Sequence, residues 1–356
     1  EADVDTEDLN GDGVVDSLDC NAAASGVSEE AQFHRTYFTE NTYEGTASCI
    51  NCHGPIADDI LSTGHWNWEG LATGLTGLES EFHGKVDMIN NFCIAIGSNE
   101  ARCSQCHIGY GYDEKTFNFN DRENIDCLVC HDQTGTYKKG TTTAGLPDPS
   151  VDLQDVARSV ALNGGEPTRS ACLACHAYAG GGDNVKHGDL SSALVGTTRE
   201  YDVHMGTDGA DLKCIDCHSV ERDADGFQLS HGIGGMVYHS TDEGAMKQCG
   251  DCHGLAGNIH AATSVETILN SHGDIFACQV CHVPAIAREI ATNVEWLWGD
   301  AGQDVDPIPV DPESGRPTYS KKKGTQNWAY DVRPALLYYD GKWDKTVVGV
   351  TDQYTT

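Results

Sequence analysis

Seven Cys-x-x-Cys pairs in the sequence are each followed directly by a histidine, and this pattern carries the chemistry. Two thiols at this spacing lie on one short turn, where they can add to the two vinyl groups of a single haem. The adjacent histidine then lies under the macrocycle and binds its iron on the proximal side. Zinc sites use two such pairs per metal without a histidine after each pair, and redox dithiols do not recur seven times. The pattern therefore predicts seven covalently attached c-type haems.

The residues that attach the haems and bind their irons follow from the motif. The predicted thioether cysteines are Cys49, Cys52, Cys103, Cys106, Cys127, Cys130, Cys172, Cys175, Cys214, Cys217, Cys249, Cys252, Cys278 and Cys281. The predicted proximal iron ligands are His53, His107, His131, His176, His218, His253 and His282.

Nine histidines lie outside the motifs, which is a surplus over the seven irons. An iron bound by two histidines is six-coordinate and low-spin, which is typical of electron carriers rather than catalysts. The surplus favours such ligation for most of the haems. The predicted distal set omits His34 and consists of His65, His83, His187, His204, His231, His239, His260 and His272.

The composition bounds the fold. Only 39% of the 356 residues are hydrophobic, so side chains alone would make a thin core. Macrocycles supply the missing apolar volume, and the 40 glycines let the backbone approach their faces closely. We predict a mainly α and irregular fold with little β, packed around seven covalently bound haems. The predicted segments are residues 1–30, an acidic segment, residues 31–300, the haem core, and residues 301–356, a haem-free segment that packs on the core.

The net charge of −33 limits the partners and the location. Binding of nucleic acid needs a basic face, so nucleic acid is excluded as a partner. No stretch of 18 apolar residues is present, so we expect no membrane span. Haem attachment of this kind requires export, and the start at Glu1-Ala2-Asp3 is what we expect after removal of a signal peptide. We expect an extracellular or cell-surface protein, with the periplasm as the alternative.

The acidic segment contains a twelve-residue pattern that matches a calcium loop. Oxygen ligands fall at positions 1, 3, 5, 9 and 12, a backbone carbonyl falls at position 7, and Gly13 supplies the sharp turn at position 6. A solvated acidic tail is the alternative. The predicted calcium ligands are Asp8, Asn10, Asp12, Val14 through its carbonyl, Asp16 and Asp19.

Several longer stretches occur together in a consistent order. They are His65-Trp66-Asn67-Trp68, Asn90-Asn91-Phe92-Cys93-Ile94, Asp126-Cys127-Leu128-Val129-Cys130-His131-Asp132, Val185-Lys186-His187-Gly188-Asp189, Asp202-Val203-His204-Met205-Gly206 and Trp296-Leu297-Trp298-Gly299-Asp300. Through them the chain resembles the octahaem tetrathionate reductase family of multihaem c-type cytochromes, over roughly residues 45–350. The family carries an eighth motif in a C-terminal extension, whereas these 356 residues contain seven.

The resemblance implies a multihaem cytochrome c fold with closely stacked haems and a catalytic second haem. That haem matches the motif that ends in His107. Its distal ligand would be Lys186, Cys93 and Asn90 would line its pocket, and His187 would serve a neighbouring iron. For Cys93 a disulfide with Cys20 and a buried free thiol both remain open.

Two functions of different classes follow. The first is an electron carrier that exchanges electrons with other redox proteins or terminal acceptors and self-associates, with an extracellular filament as one form. The second is a reductase of tetrathionate, nitrite or hydroxylamine at the lysine-ligated second haem. A structural or adhesive surface protein is a weaker third reading. Lys321-Lys322-Lys323 is the only basic run, and it fits contact with haem propionates or an acidic partner as well as a solvated loop.

Overall fold

The computed structural model describes most of the chain and divides it into two units. Unit 1 comprises residues 1–172, 214–246 and 340–356, and unit 2 comprises residues 173–213 and 247–339. The described residues are 28–71, 82–84, 100–112, 117–186, 188–218, 231–233, 247–253, 260 and 266–336.

The described part of unit 1 is built from short helices, of which α1 and α2 are the longest there. Helix α1 begins where the Ser28 side chain accepts a hydrogen bond from the Ala31 amide. Two glutamates lie in its first turn, where their negative charge interacts favourably with the positive end of the helix dipole. Helix α6 begins in the same way at Asp152, whose side chain accepts two backbone amides. The helices of unit 1 are α1 (Glu29–Glu40), α2 (Ala47–Ile60), α3 (Gly64–Asn67), α4 (Glu100–Cys103), α5 (Leu128–His131), α6 (Leu153–Ser159), the start of α7 (Arg169–His176) and α8 (Cys214–Cys217).

The apolar core of unit 1 is divided into small clusters. Phe38 of α1 packs with Leu128 of α5 and Val156 of α6, so these three helices hold one another. A second cluster joins Trp66 and Ile125, and the Trp66 indole N–H donates to the Phe119 carbonyl at 2.8 Å. Small separate clusters suit a chain in which macrocycles supply part of the interior. A two-stranded ribbon, β1 (Glu69–Leu71) with β2 (Phe82–Gly84), is the β-structure described in this unit.

Unit 2 combines short helices with a small antiparallel sheet. The strands are β3 (Thr292–Leu297), β4 (Tyr319–Ser320) and β5 (Gly324–Ala329), in the order β3-β5-β4, with a bulge between Asn293 and Glu295. The helices that lie wholly in this unit are α9 (Cys249–His253), α10 (Glu266–Gly273) and α11 (Gln279–His282).

The fold is therefore mainly α and irregular with little β, as the sequence predicts. The segments 1–30, 31–300 and 301–356 stay a prediction. Among the described residues no helix is both long and apolar enough to cross a membrane.

Candidate haem sites

Each motif lies on a short helical segment, which presents its two cysteines on one side. Residues three apart face the same side of a helix, so both sulfurs of a pair can reach one macrocycle. The first motif lies on α2, where His53 departs from helical dihedrals and kinks the helix. The second motif spans α4 and the 3₁₀ turn Ser104–Cys106, and the others lie on α5, α7, α8, α9 and α11.

A histidine from outside the motifs faces His53 across the first site. The ring centres of His34 and His53 are 6.0 Å apart and their planes are inclined by 14°. The Nδ1–H of His34 donates to the Glu30 carbonyl at 2.7 Å, one turn earlier in α1. This hydrogen bond fixes the tautomer and leaves Nε2 of His34 for a ligand.

The third site has the same construction. His131 of α5 and His231 have ring centres 5.8 Å apart, with planes inclined by 24°. The Nδ1–H of His131 donates to the Gly165 carbonyl at 2.8 Å, and the His231 amide donates to Asp59 at 3.0 Å. Burial lowers the pKa of His231 to about 4, so its imidazole is neutral at physiological pH. Only neutral imidazole can bind a metal.

Two further pairs lie in unit 2. His204 faces His253 of α9 with ring centres 6.0 Å apart and planes inclined by 68°. His260 faces His282 of α11 at 6.3 Å with nearly parallel planes, 6° apart. The Nδ1–H of His260 donates to the side-chain oxygen of Asn270 at 3.0 Å.

The spacing in all four pairs fits one iron between two imidazoles. With metal–nitrogen bonds of about 2 Å and half of a five-membered ring on each side, two such rings have centres about 6 Å apart. A metal-binding histidine also donates its second ring N–H to a carbonyl or carboxylate, and His34, His131 and His260 do so to carbonyl-type oxygens. The residues present at these sites therefore fit a haem iron with two axial histidines.

Cysteines of different motifs also meet in unit 1. The thiols of Cys49 and Cys127 lie close enough for each to shift the pKa of the other, and so do those of Cys172 and Cys214. Each pair joins the first cysteine of one motif to the first cysteine of another. Macrocycles attached at such neighbouring sulfurs would have their edges side by side.

The second motif is arranged differently. His107 is fully buried, and its Nε2–H donates to the Trp66 carbonyl at 2.6 Å. Burial lowers the pKa of His107 to about 4. Because Nε2 is bonded to a carbonyl, His107 would bind a haem iron only after this hydrogen bond is broken. The surrounding rings, with centres 4.8 to 6.3 Å away, are those of Trp66, Trp68, Tyr112, Phe117 and Phe119.

The other predicted site residues are placed as follows. The Nδ1–H of His65 donates to the Ile233 carbonyl at 3.0 Å, a bond typical of a ligand. His272 lies exposed on α10, with its ring 5.9 Å from that of Phe276. Lys186 is half-buried, and its amide donates to Asp189. The side chains that lie outside the described residues are those of His83, Cys103, His187, His239, Asn90, Cys93, Cys20 and the calcium loop at 8–19.

His34 is the candidate ligand that the sequence prediction omitted. It lies 19 residues before His53, on another helix, with no motif of its own. The sequence signal that could have indicated His34 is its place in a predicted helix. A histidine there can donate from one ring nitrogen to the carbonyl four residues earlier, while its other nitrogen faces outward.

Short helices with Cys-x-x-Cys-His motifs, several of them faced by a second histidine, define a multihaem c-type cytochrome. The comparisons agree with this class. The family described as bacterial cytochrome c matches residues 293–353. An uncharacterized protein of Archaeoglobus fulgidus is 28% identical over 227 residues, which is 50% of this chain and 74% of that protein.

A solved structure narrows the class to a family. The crystal structure of octaheme cytochrome c from Shewanella oneidensis is 35% identical to this chain, with a TM-score of 0.69. The match covers 89% of this chain and 67% of the Shewanella chain. The chain belongs to the octahaem cytochrome c family, which is the family that its motifs resemble.

Proposed function

We propose that this chain is a seven-haem electron carrier that works outside the cytoplasmic membrane and passes electrons through closely stacked haems to other redox proteins or terminal acceptors. The observation that carries the proposal is the set of four histidine pairs whose ring centres lie 5.8 to 6.3 Å apart. The first cysteines of different motifs, Cys49 with Cys127 and Cys172 with Cys214, also lie close together. Because these sulfurs would anchor macrocycles, their closeness would bring the haems of each pair edge to edge. Electrons then pass between macrocycles without crossing a layer of protein.

The histidine pairs support the same proposal. A haem with two axial imidazoles is six-coordinate, so it gains and loses electrons without an open position for substrate. His34 with His53, and His131 with His231, give this ligation to two haems of unit 1. One of these haems is anchored at Cys49 and the other at Cys127. The contact between Cys49 and Cys127 therefore joins two carrier-type haems.

The reductase of the alternative proposal would act at the second motif. Its candidate residues Asn90 and Cys93 lie outside the described residues, and His107 donates its Nε2–H to Trp66 in this arrangement. The four sites that fit an iron are instead faced by histidine. The described histidine pairs therefore support the carrier, and the reductase stays the alternative.

Film voltammetry of the haem-loaded protein, with its haem content measured in parallel, separates the two. A carrier gives reversible waves that integrate to seven electrons per chain. Added tetrathionate, nitrite or hydroxylamine leaves these waves unchanged. A catalytic current with any of the three would overturn the carrier proposal and favour the reductase.

Self-association into a conducting filament extends the proposal, supported by the number of haems that the motifs predict. We also propose that residues 8–19 bind calcium, because a loop of this type suits the calcium concentration outside the cell. Negative-stain electron microscopy of haem-loaded protein, with calcium or with chelator, tests both points. Filaments that shorten on chelation are expected, and isolated particles at every concentration would count against them.

A further inference from the structure

A cluster of cations in unit 2 stands out in a chain with 55 acidic and 22 basic residues. An open cavity of about 350 Å³ lies beside the sheet, and no acidic side chain is among the described residues that line it. The polar side chains that line it are Arg316, Ser320, Lys321, Lys323 and Gln326. Asp183 and Asp304 act on Arg316 and Lys321, but neither lines the cavity, so the wall itself carries three cations and has the chemistry of an anion site.

Arg316 is held in place without using its hydrogen-bond donors. Its guanidinium lies over the Trp328 ring at 4.6 Å, and the Trp328 indole N–H donates to the Pro317 carbonyl at 2.9 Å. Within the described part of the chain, the guanidinium makes no hydrogen bond and no ion pair. Burial lowers the pKa of Arg316, yet a guanidinium stays charged in proteins. Its fork of donors is therefore fixed in orientation and available to a ligand.

Gln326 gives an independent indication. The residue is only 5% exposed, and it lies in the middle of β5, where its backbone amide donates to the Thr318 carbonyl. Its side-chain amide has no hydrogen bond to any residue that the structure describes, although it lines the cavity. The amide keeps contact with the open cavity, where an anion can accept from it in place of water.

Two lysines complete the positive wall. Lys323 lies over the Trp296 ring at 5.5 Å, and Lys321 pairs with Asp304 at 2.5 Å on the exposed side. We propose that this cavity is an oxyanion-binding site, in which Arg316 and Gln326 donate to the anion and the lysines add charge. The anion is a free ion of the size of sulfate or a propionate carboxylate of a bound haem, since both present the same oxygens.

The test uses the haem-loaded full chain and sulfate as the probe. Titration calorimetry at low ionic strength compares the unaltered chain with Arg316→Gln and Gln326→Leu. The matched control is Arg288→Gln, because Arg288 also lies over an aromatic ring, that of Tyr201 at 5.9 Å, but does not line the cavity. If the site takes a free anion, the unaltered chain binds sulfate. Arg316→Gln then lowers the affinity for sulfate at least about tenfold, whereas Arg288→Gln leaves it unchanged.

If the bound anion is a haem propionate, the unaltered chain does not bind sulfate. The quantity to measure is then the midpoint potential of each haem. Loss of the Arg316 charge near one haem stabilises its ferric state. Arg316→Gln therefore lowers the potential of one haem and leaves the others in place, and Arg288→Gln shifts none. Gln326→Leu serves if Arg316→Gln loses its haems. If sulfate does not bind and neither variant moves a potential beyond the control, the proposal is wrong.

Discussion

The imidazoles of His34 and His53 face each other with ring centres 6.0 Å apart, although they belong to two different helices of unit 1. His53 follows the first cysteine pair, whereas His34 has no motif. The carbonyl of Glu30 holds the His34 ring through Nδ1. The two rings are thus spaced as two axial ligands of one iron would be.

Replacing His34 by alanine should leave the first haem with one axial protein ligand. That haem changes from low-spin to high-spin, because its sixth position becomes open. Ferric visible and EPR spectra should show one haem's worth of high-spin signal. Gln32→Ala, an exposed change on the same helix, should show none. A fully low-spin His34→Ala protein would mean that His34 is not a ligand.

Much of this site could be predicted from the sequence, but His34 could not. The motif prescribes the cysteines and the proximal histidine because one turn of chain must reach one macrocycle. The distal histidine comes from anywhere in the chain, so its choice depends on tertiary packing. Phe38 of α1 illustrates the cause, because its packing on Leu128 and Val156 sets where α1, and with it His34, lies. The lysines of the cationic cavity belong to the basic run that the sequence shows, whereas Arg316 and Gln326 could not be predicted, because they come to line one cavity only when the strands pair.

Asn270 should tune the seventh haem through His260. An acceptor on Nδ1 makes an imidazole more basic and stabilises ferric iron. Asn270→Ala removes the acceptor of the 3.0 Å hydrogen bond and should raise the midpoint potential of one haem. Asn270→Asp should lower it. Spectroelectrochemical titration gives both values, with Ser271→Ala on the same helix as the control. Unchanged potentials in both Asn270 variants would show that this hydrogen bond does not act on an iron ligand.

The buried ion pair of Asp126 and Lys139 should be important for stability. Their charged atoms are 3.4 Å apart and their side chains are 0% and 5% exposed. Asp126→Asn leaves the lysine charge buried without its partner, which costs about 3–5 kcal/mol in the free energy of unfolding.

Chemical denaturation of the haem-loaded protein measures this cost. The control is Asp58→Asn, which breaks the exposed pair with Arg122 at 2.9 Å and should cost about 0–1 kcal/mol. Equal losses in the two variants would contradict the account of the buried pair.

The buried pair of Tyr43 and Tyr110 should make the protein less stable at alkaline pH. Their hydroxyls are 3.1 Å apart, and burial raises the pKa of both above the unfolded value of about 10. Their full contribution to the free energy of unfolding is present below pH 10. Above it the unfolded chain releases these protons while the folded chain keeps them, so stability falls as pH rises.

The double variant Tyr43→Phe with Tyr110→Phe tests the sign. Replacing both partners by apolar rings is nearly neutral at pH 7, and the variant should lose less stability than the unaltered chain above pH 10. Unfolding midpoints at pH 7 and pH 11 measure this, with the exposed Tyr178→Phe as the control. Parallel losses in all three proteins would show that the buried pair does not titrate as described.

The central claim is that neighbouring haems of carrier type touch, and a cryo-EM or crystal structure of the haem-loaded chain tests it most directly. The account predicts one iron between His34 and His53, another between His131 and His231, and their macrocycles in van der Waals contact beside Cys49 and Cys127. Other axial ligands on these irons, or a layer of protein between the two macrocycles, would contradict it.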